Sequence, residues 1–235
     1  LELVAGAYVA DRLGIPDERL RSQLRVAARR YSADAYLHFN PKIEPPPSDI
    51  PDCDGCTSGA QMRSRYDMFL DALIATYFGD AYGVRLGASY RDVIRWLPRL
   101  RPYVASPRDD LVDVFYAATH VVYTQNSYGE KRVSVRVLPQ EFAFIRRALP
   151  AAIAAQDPEL VGKAIDTMKA FGYGEREPLI RRGMAYLIAS QHRDGGWSTS
   201  RDYYTRYHSA WTAIDALRDY RFGTEVRQLT EVPGA

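Results

Sequence analysis

Two histidines in this chain stand in the same local setting. "THVVYT" (119–124) and "YHSAWT" (207–212) each carry a histidine, an aromatic residue three positions on, and then a threonine. A third segment joins them. Without gaps, "YHSAWTAID" (207–215) aligns with "PELVGKAID" (158–166), sharing Ala-Ile-Asp and setting Glu159 opposite His208. If these segments are successive inner helices, His120, Glu159 and His208 occupy one layer. Two imidazoles and a carboxylate are the donor set of a zinc or non-haem iron site that keeps a position open for substrate. Asp71, inside the apolar run "MFLDALIATYF" (68–78), is a further carboxylate ligand to consider.

Tyrosines gather around both histidines. Tyr116 and Tyr123 accompany His120, and Tyr203, Tyr204 and Tyr207 precede Trp211 around His208. The expected catalytic set is His120, His208, Tyr123 and Tyr203, the tyrosines moving protons or orienting substrate. Tyr116, Tyr207 and Trp211 would line an apolar pocket, and Arg201 and Arg206 would hold anionic oxygens. Each residue also has a plainer reading. Glu159 behind Asp157-Pro158 is what a helix N-terminus favours, and aromatic residues at helical spacing commonly pack a core.

The elements that must position these groups are marked by prolines. Pro16, Pro107, Pro139, Pro158 and Pro178 each precede polar residues and then an apolar helical pattern. Proline in the first turn gives up no hydrogen bond, and Asp157 ahead of Pro158 makes an N-cap. Helices are predicted over about 16–31, 64–79, 90–101, 107–126, 139–155, 158–171, 177–191 and 204–220. "KRVSVRVL" (131–138) alternates like a strand through Val133, Val135 and Val137, and 133–138 is the only strand expected. Residues of about 40–60, rich in proline and glycine, form a loop. The fold class is all-α, in one domain over 1–235.

Repetition sharpens that expectation. "DALIATYFG" (71–79) and "DALRDYRFG" (215–223) share their ends, and "AIDTMKAFG" (164–172) is a shorter relative. The spacing suits helical hairpins of roughly 45 residues, stacked or closed into a ring. Recurrence of Asp71, Asp166 and Asp215 favours structural work for these acids. "RGMAYLIASQHRDGGW" (182–197) then supplies Arg182-Gly183, Tyr186-Leu187, Gln191, Gly195 and Trp197 in order. This pattern resembles the QW repeat of the squalene cyclase and protein prenyltransferase β-subunit families. The resemblance implies an α/α toroid, here with room for only an incomplete ring, in which Gln191 and Trp197 tie an outer helix to the next inner one. Tyr207-His208 is similar to the prenyltransferase Tyr-His pair that opens an inner helix, which implies a zinc-binding role for His208. Both cysteines sit in the proline-rich loop, so further ligands are sought among His120, Glu159 and Asp71.

Two smaller motifs remain. "DDLVD" (109–113) matches the DDxxD pattern of class I terpene synthases, but acids in a first helical turn also suit the dipole. "CDGC" places Cys53 and Cys56 at CxxC spacing, a soft pair that could recruit His38. His192 falls in the glycine turn, facing solvent.

Thirty-one basic residues against twenty-nine acidic ones leave +2, with no electrostatic case for a nucleic-acid partner. No apolar run reaches the length of a membrane span. Two cysteines are too few for a disulfide framework, and a cytoplasmic location is expected. The chain opens on Leu1 rather than Met, so residues preceding it in the native protein are expected. The functional expectation is a small enzyme using divalent zinc or iron to cyclise, eliminate from or rearrange a hydrophobic, isoprenoid- or polyketide-like substrate. The alternatives are an isoprenoid transferase and a toroidal binding or scaffold domain.

Overall fold

A computed structural model describes residues 2–48, 50–51, 62–104 and 111–233. Helices dominate it, as the proline spacing requires. In chain order they are α1 (Glu2–Arg12), α2 (Glu18–Ala28), α3 (Ala33–Leu37), α4 (Arg65–Tyr82), α5 (Tyr90–Ile94), α6 (Leu97–Leu100), α7 (Leu111–Gln125), α8 (Pro139–Ala154), α9 (Pro158–Ala170), α10 (Pro178–Ser190) and α11 (Tyr203–Leu217). Among the described residues four short strands intervene: β1 (Ile50–Pro51), β2 (Met62–Arg63), β3 (Lys131–Val133) and β4 (Thr224–Val226). The chain is all-α. No helix among the described residues is long and apolar enough to cross a membrane. The backbone divides into two compact units, Leu1–His120 with Thr230–Ala235, and Val121–Leu229.

The first unit is organised by α4. Ser64 caps it, accepting from the Asp67 amide at 3.1 Å and donating its hydroxyl to Asp113 at 2.7 Å. That bond engages the described end of the acid motif in structure, while Asp109 and Asp110 lie outside the described residues. Tyr66, Phe69, Leu73 and Tyr77 are fully buried along α4, which packs on α1, α3 and α5. Asp80 then accepts from the Tyr90 amide at 2.8 Å, joining the end of α4 to the start of α5.

In the second unit α9 is the central helix. Asp157 accepts from the amides of Glu159 and Leu160, Pro158 occupies the first turn, and every residue from Val161 to Ala170 is buried. Helices α8, α10 and α11 surround it. Two glycines set the spacing. A Cβ on Gly162 would lie 2.7 Å from the Thr212 carbonyl oxygen of α11, and one on Gly183 of α10 would lie 2.7 Å from Ile165. Larger residues at either position would push the helices apart.

The glutamine, glycine and tryptophan after α10 now have roles. Gln191 Nε2 donates to the Gly195 carbonyl at 2.9 Å, and Gly195 turns the chain with φ 86°. Trp197 Nε1 then donates to the Leu187 carbonyl at 2.8 Å. That carbonyl belongs to the last turn of α10, where no backbone donor of the helix remains and the Ser190 hydroxyl also reaches it at 3.2 Å. With 7% exposure, the indole is both a cap and a core residue.

Several boundaries differ from expectation. α1 and α3 lack a proline signal and were not anticipated, and α2 starts at Glu18 because Asp17 caps it. The helix expected over 90–101 breaks at Arg95-Trp96, ahead of Pro98 in the first turn of α6. The expected strand at 133–138 is also displaced. β3 covers Lys131–Val133 and pairs in parallel with β4, and Ser134 to Val137 closes a turn instead. Nor is it the only strand, since β1 pairs with β2. Only Val133 of the three alternating valines is buried, so the pattern had no buried face to continue on.

Trp197→Ala should destabilise the protein by about 3–5 kcal/mol, as for other buried aromatic truncations. Chemical denaturation checks this, and an unchanged midpoint would mean that the indole carries no packing.

Candidate functional site

Charged residues on a helix buried from Val161 to Ala170 need explaining, because an unpaired charge in an apolar interior is very costly. Helix α9 carries Glu159, Lys163, Asp166 and Thr167 at spacings of four, seven and eight, which is one helical face. α11 answers with His208, Thr212 and Asp215, and the segment after it brings Arg218 and Tyr220. Because Gly162 has no side chain, the two backbones approach closely enough for these groups to meet.

At one end, His208 Nδ1 lies 2.8 Å from Glu159 Oε1. The ring is 6% exposed, and Tyr204 stacks on it at 4.9 Å between centroids. Trp211 meets it edge-on at 6.0 Å. With Nδ1–H donated to the carboxylate, the neutral ring carries its lone pair on Nε2.

At the other end, Tyr220 donates its hydroxyl to Asp166, and Arg218 donates to Tyr220 at 2.9 Å. Lys169 Nζ donates to the Arg218 carbonyl at 2.8 Å, anchoring the segment. Between the two ends lies Lys163, 2% exposed, with its ammonium 5.9 Å from the centre of the Tyr123 ring. Tyr123 donates to the Lys163 carbonyl at 3.4 Å.

Burial governs the protonation of this face. It pulls the Lys163 ammonium down to about 8 against the opposing pull of Glu159, Asp166 and Asp215. It pushes the Asp166 carboxyl up to about 6, with Asp215 adding to the rise and Tyr220, Arg218 and Tyr123 opposing it. The Tyr123 hydroxyl is driven well above the phenol range, by burial first and by Asp166 second. The Asp215 carboxyl is raised by burial, with Arg218 opposing. In each case desolvation is the larger effect.

The sequence-derived residues fall into separate settings. Glu159 and His208 come together, as their alignment required. His120 and Tyr116 lie in the first unit, where His120 Nδ1 is 2.8 Å from the Tyr116 carbonyl and the rings stack at 6.0 Å. Asp71 also lies there. Its apolar surroundings in sequence suggested burial, yet its side chain is 56% exposed and pairs with Arg63, because it sits on the polar edge of α4. Tyr123 joins the Lys163 end of the buried face. Tyr203, 82% exposed, stacks on Tyr207 at 6.4 Å, and Tyr207 stacks on Trp211 at 5.8 Å, making an aromatic row along the outside of α11. Arg201 is exposed, and Arg206 faces Asp194 across 3.8 Å at the surface. His38 ends α3 with a left-handed backbone, while Cys53 and Cys56 lie outside the described residues. Among the described residues no three His, Cys, Asp or Glu side chains converge as a metal-binding group.

Lys163, Asp166, Arg218 and Tyr220 were not singled out as a site from sequence. The available signal was "VGKAIDTMKA" (161–170), two lysines and an aspartate in a helix with apolar residues on every side. Comparison with protein-family models, curated proteins and solved structures found no match. Function is therefore argued from geometry.

Asp166 makes the face pH-sensitive. Its folded pKa of about 6 exceeds the ordinary 3.8, so the fold binds the proton more tightly than the unfolded chain does. The associated stability is complete below about 3.8 and is lost as pH rises through about 6. Relative to Asp166→Asn, which keeps an acceptor for Tyr220, the wild type should lose about 2.4 kcal/mol between pH 4 and pH 7. Denaturant melts across that range measure it, and parallel curves for the two proteins would show that Asp166 titrates normally.

Proposed function

We propose that the chain is a small enzyme of helical hairpins arranged as an α/α toroid, with its chemistry at His208 and a hydrophobic substrate. The observation that carries this reading is the 2.8 Å contact from His208 Nδ1 to Glu159 under near-complete burial. A carboxylate holding one ring nitrogen fixes the tautomer and stabilises the imidazolium formed when Nε2 accepts a proton. Such a dyad suits a cyclisation, elimination or rearrangement, in which a proton leaves carbon or oxygen and is later returned. Glu159 is then a positioning residue rather than a direct ligand. The Gln191–Trp197 turn and the closely packed α9–α11 pair support the toroidal arrangement.

A metal role rests on the same orientation. Imidazoles that bind metals give their other nitrogen to a carboxylate or a carbonyl, as His208 does to Glu159 and His120 does to Tyr116. His120 and His208, each within its own unit, remain candidate nitrogen donors to divalent zinc or iron, which when bound would supply a Lewis acid.

The aromatic row Tyr203–Tyr207–Trp211 favours a second reading, a binding domain without turnover. Trp211 is 45% exposed, and a row of half-open rings offers apolar contact at low entropic cost.

Incubation with a panel of polyprenyl and polyketide-like compounds, read by mass spectrometry beside elemental analysis, separates the readings. His208→Ala should abolish conversion and Glu159→Gln should reduce it about 10²–10⁴-fold, with helix content unchanged in both. Conversion by His208→Ala at the wild-type rate would remove the dyad. Binding to the aromatic row without product from any compound would favour the second reading.

A further inference from the structure

The first unit holds a concentration of positive charge that plays no part in this chemistry. Arg25 lies in the last turn of α2 and Arg29 just past its end, Arg85 follows α4, Arg91 lies on α5, and Lys42 comes from the loop after α3. They line two adjoining hollows of about 530 and 260 Å³, which share Arg29, Arg85 and Ser89. Three carboxylates lie among them. Glu231 pairs with Arg91 at 2.8 Å, Asp80 faces Arg85 at 3.5 Å, and Asp92 is engaged in capping α5 from Ser89. Five cations against three acids leave the hollow positive.

The remaining cations are held by groups that bring no counter-charge. Arg25 Nε donates to the Gly83 carbonyl at 2.9 Å, and Lys42 Nζ donates to the Gly87 carbonyl at 2.6 Å. Gly83 makes the first contact possible, since a Cβ there would lie 2.8 Å from the Arg25 guanidinium and its φ is 73°. Arg25 and Lys42 are thus fixed in place by neutral carbonyls, with Asp92 close enough to Lys42 to feel its charge. Among the described residues the Arg29 side chain has no ion-pair or hydrogen-bond partner, and it borders both hollows. Guanidinium groups arranged this way match the geometry and charge of phosphate oxygens, and the concave shape suits a small molecule better than a polymer.

We infer that this arginine-lined hollow binds a small, multiply charged phosphate anion, a phosphate or diphosphate ester, with Arg25 and Arg29 as its main contacts. Inorganic pyrophosphate is the probe, titrated calorimetrically into the full chain at about 50 mM salt and again at about 200 mM. Saturable binding is expected to weaken at the higher salt. Arg29→Ala, an exposed change that breaks no bond of the fold, should weaken it about tenfold or more. Arg136→Ala, on an exposed turn of the second unit, should leave it unchanged. Absence of binding at millimolar pyrophosphate overturns the inference. So does an affinity that Arg29→Ala leaves intact, or that Arg136→Ala reduces as much.

Discussion

The backbone of α11 passes Gly162 so closely that one methyl group there would meet the Thr212 carbonyl oxygen at 2.7 Å. This contact sets the register of the second unit. With the helices held that close, His208 comes to Glu159 one turn before the glycine, and Asp215 comes beside Lys163 and Asp166 one turn after it. A bulkier residue would force the helices apart by more than a hydrogen bond tolerates, since geometry beyond about 3.5 Å is no longer a bond. The polar face of α9 therefore depends on a residue with no side chain.

That face is expensive to keep. Burying charged groups costs several kcal/mol each unless they are paired and hydrogen-bonded, and even paired ions often fail to recover the desolvation penalty. The titration of the face shows the same balance. Three carboxylates near Lys163 do not prevent its ammonium from falling to about 8, and two tyrosine donors and the Arg218 charge near Asp166 do not prevent its carboxyl from rising to about 6. Pairing softens the burial without cancelling it. Residues arranged this way are common at functional sites, though structural networks share the pattern.

Local signals were legible in the sequence, and long-range ones were not. The starts of α8, α9 and α10 follow from Pro139, Pro158 and Pro178, because a proline in the first turn acts on its immediate neighbours alone. The Gln191–Trp197 turn was equally readable, its bonds spanning ten residues or fewer. Glu159 opposite His208 emerged because two helices of similar sequence were compared, which substitutes for distance information. β3 failed because its partner is β4, more than ninety residues away, and valine alternation cannot name a partner. The polarity of Asp71 was misjudged because apolar neighbours on a helix say little about which edge a residue occupies. The arginine hollow draws on α2, a loop and α5, and no periodicity links those segments.

Depth decides which part of the polar face can meet a ligand. Lys163 is enclosed, and the helices would need to open before any substrate reached its ammonium. Tyr220 covers Asp166 in the same way, held by Arg218 and by the Lys169 bond behind it. His208 differs. Its ring is buried, yet the tyrosine stacked on it at 4.9 Å is 59% exposed, so a single aromatic layer separates the imidazole from solvent. Rotating one tyrosine side chain is far cheaper than separating two helices packed at Gly162, and such flips are fast for exposed residues. Access from solvent therefore favours the His208–Glu159 end of this face, while Lys163 and Asp166 lie in the packed region that joins α9, α11 and the segment carrying Tyr220.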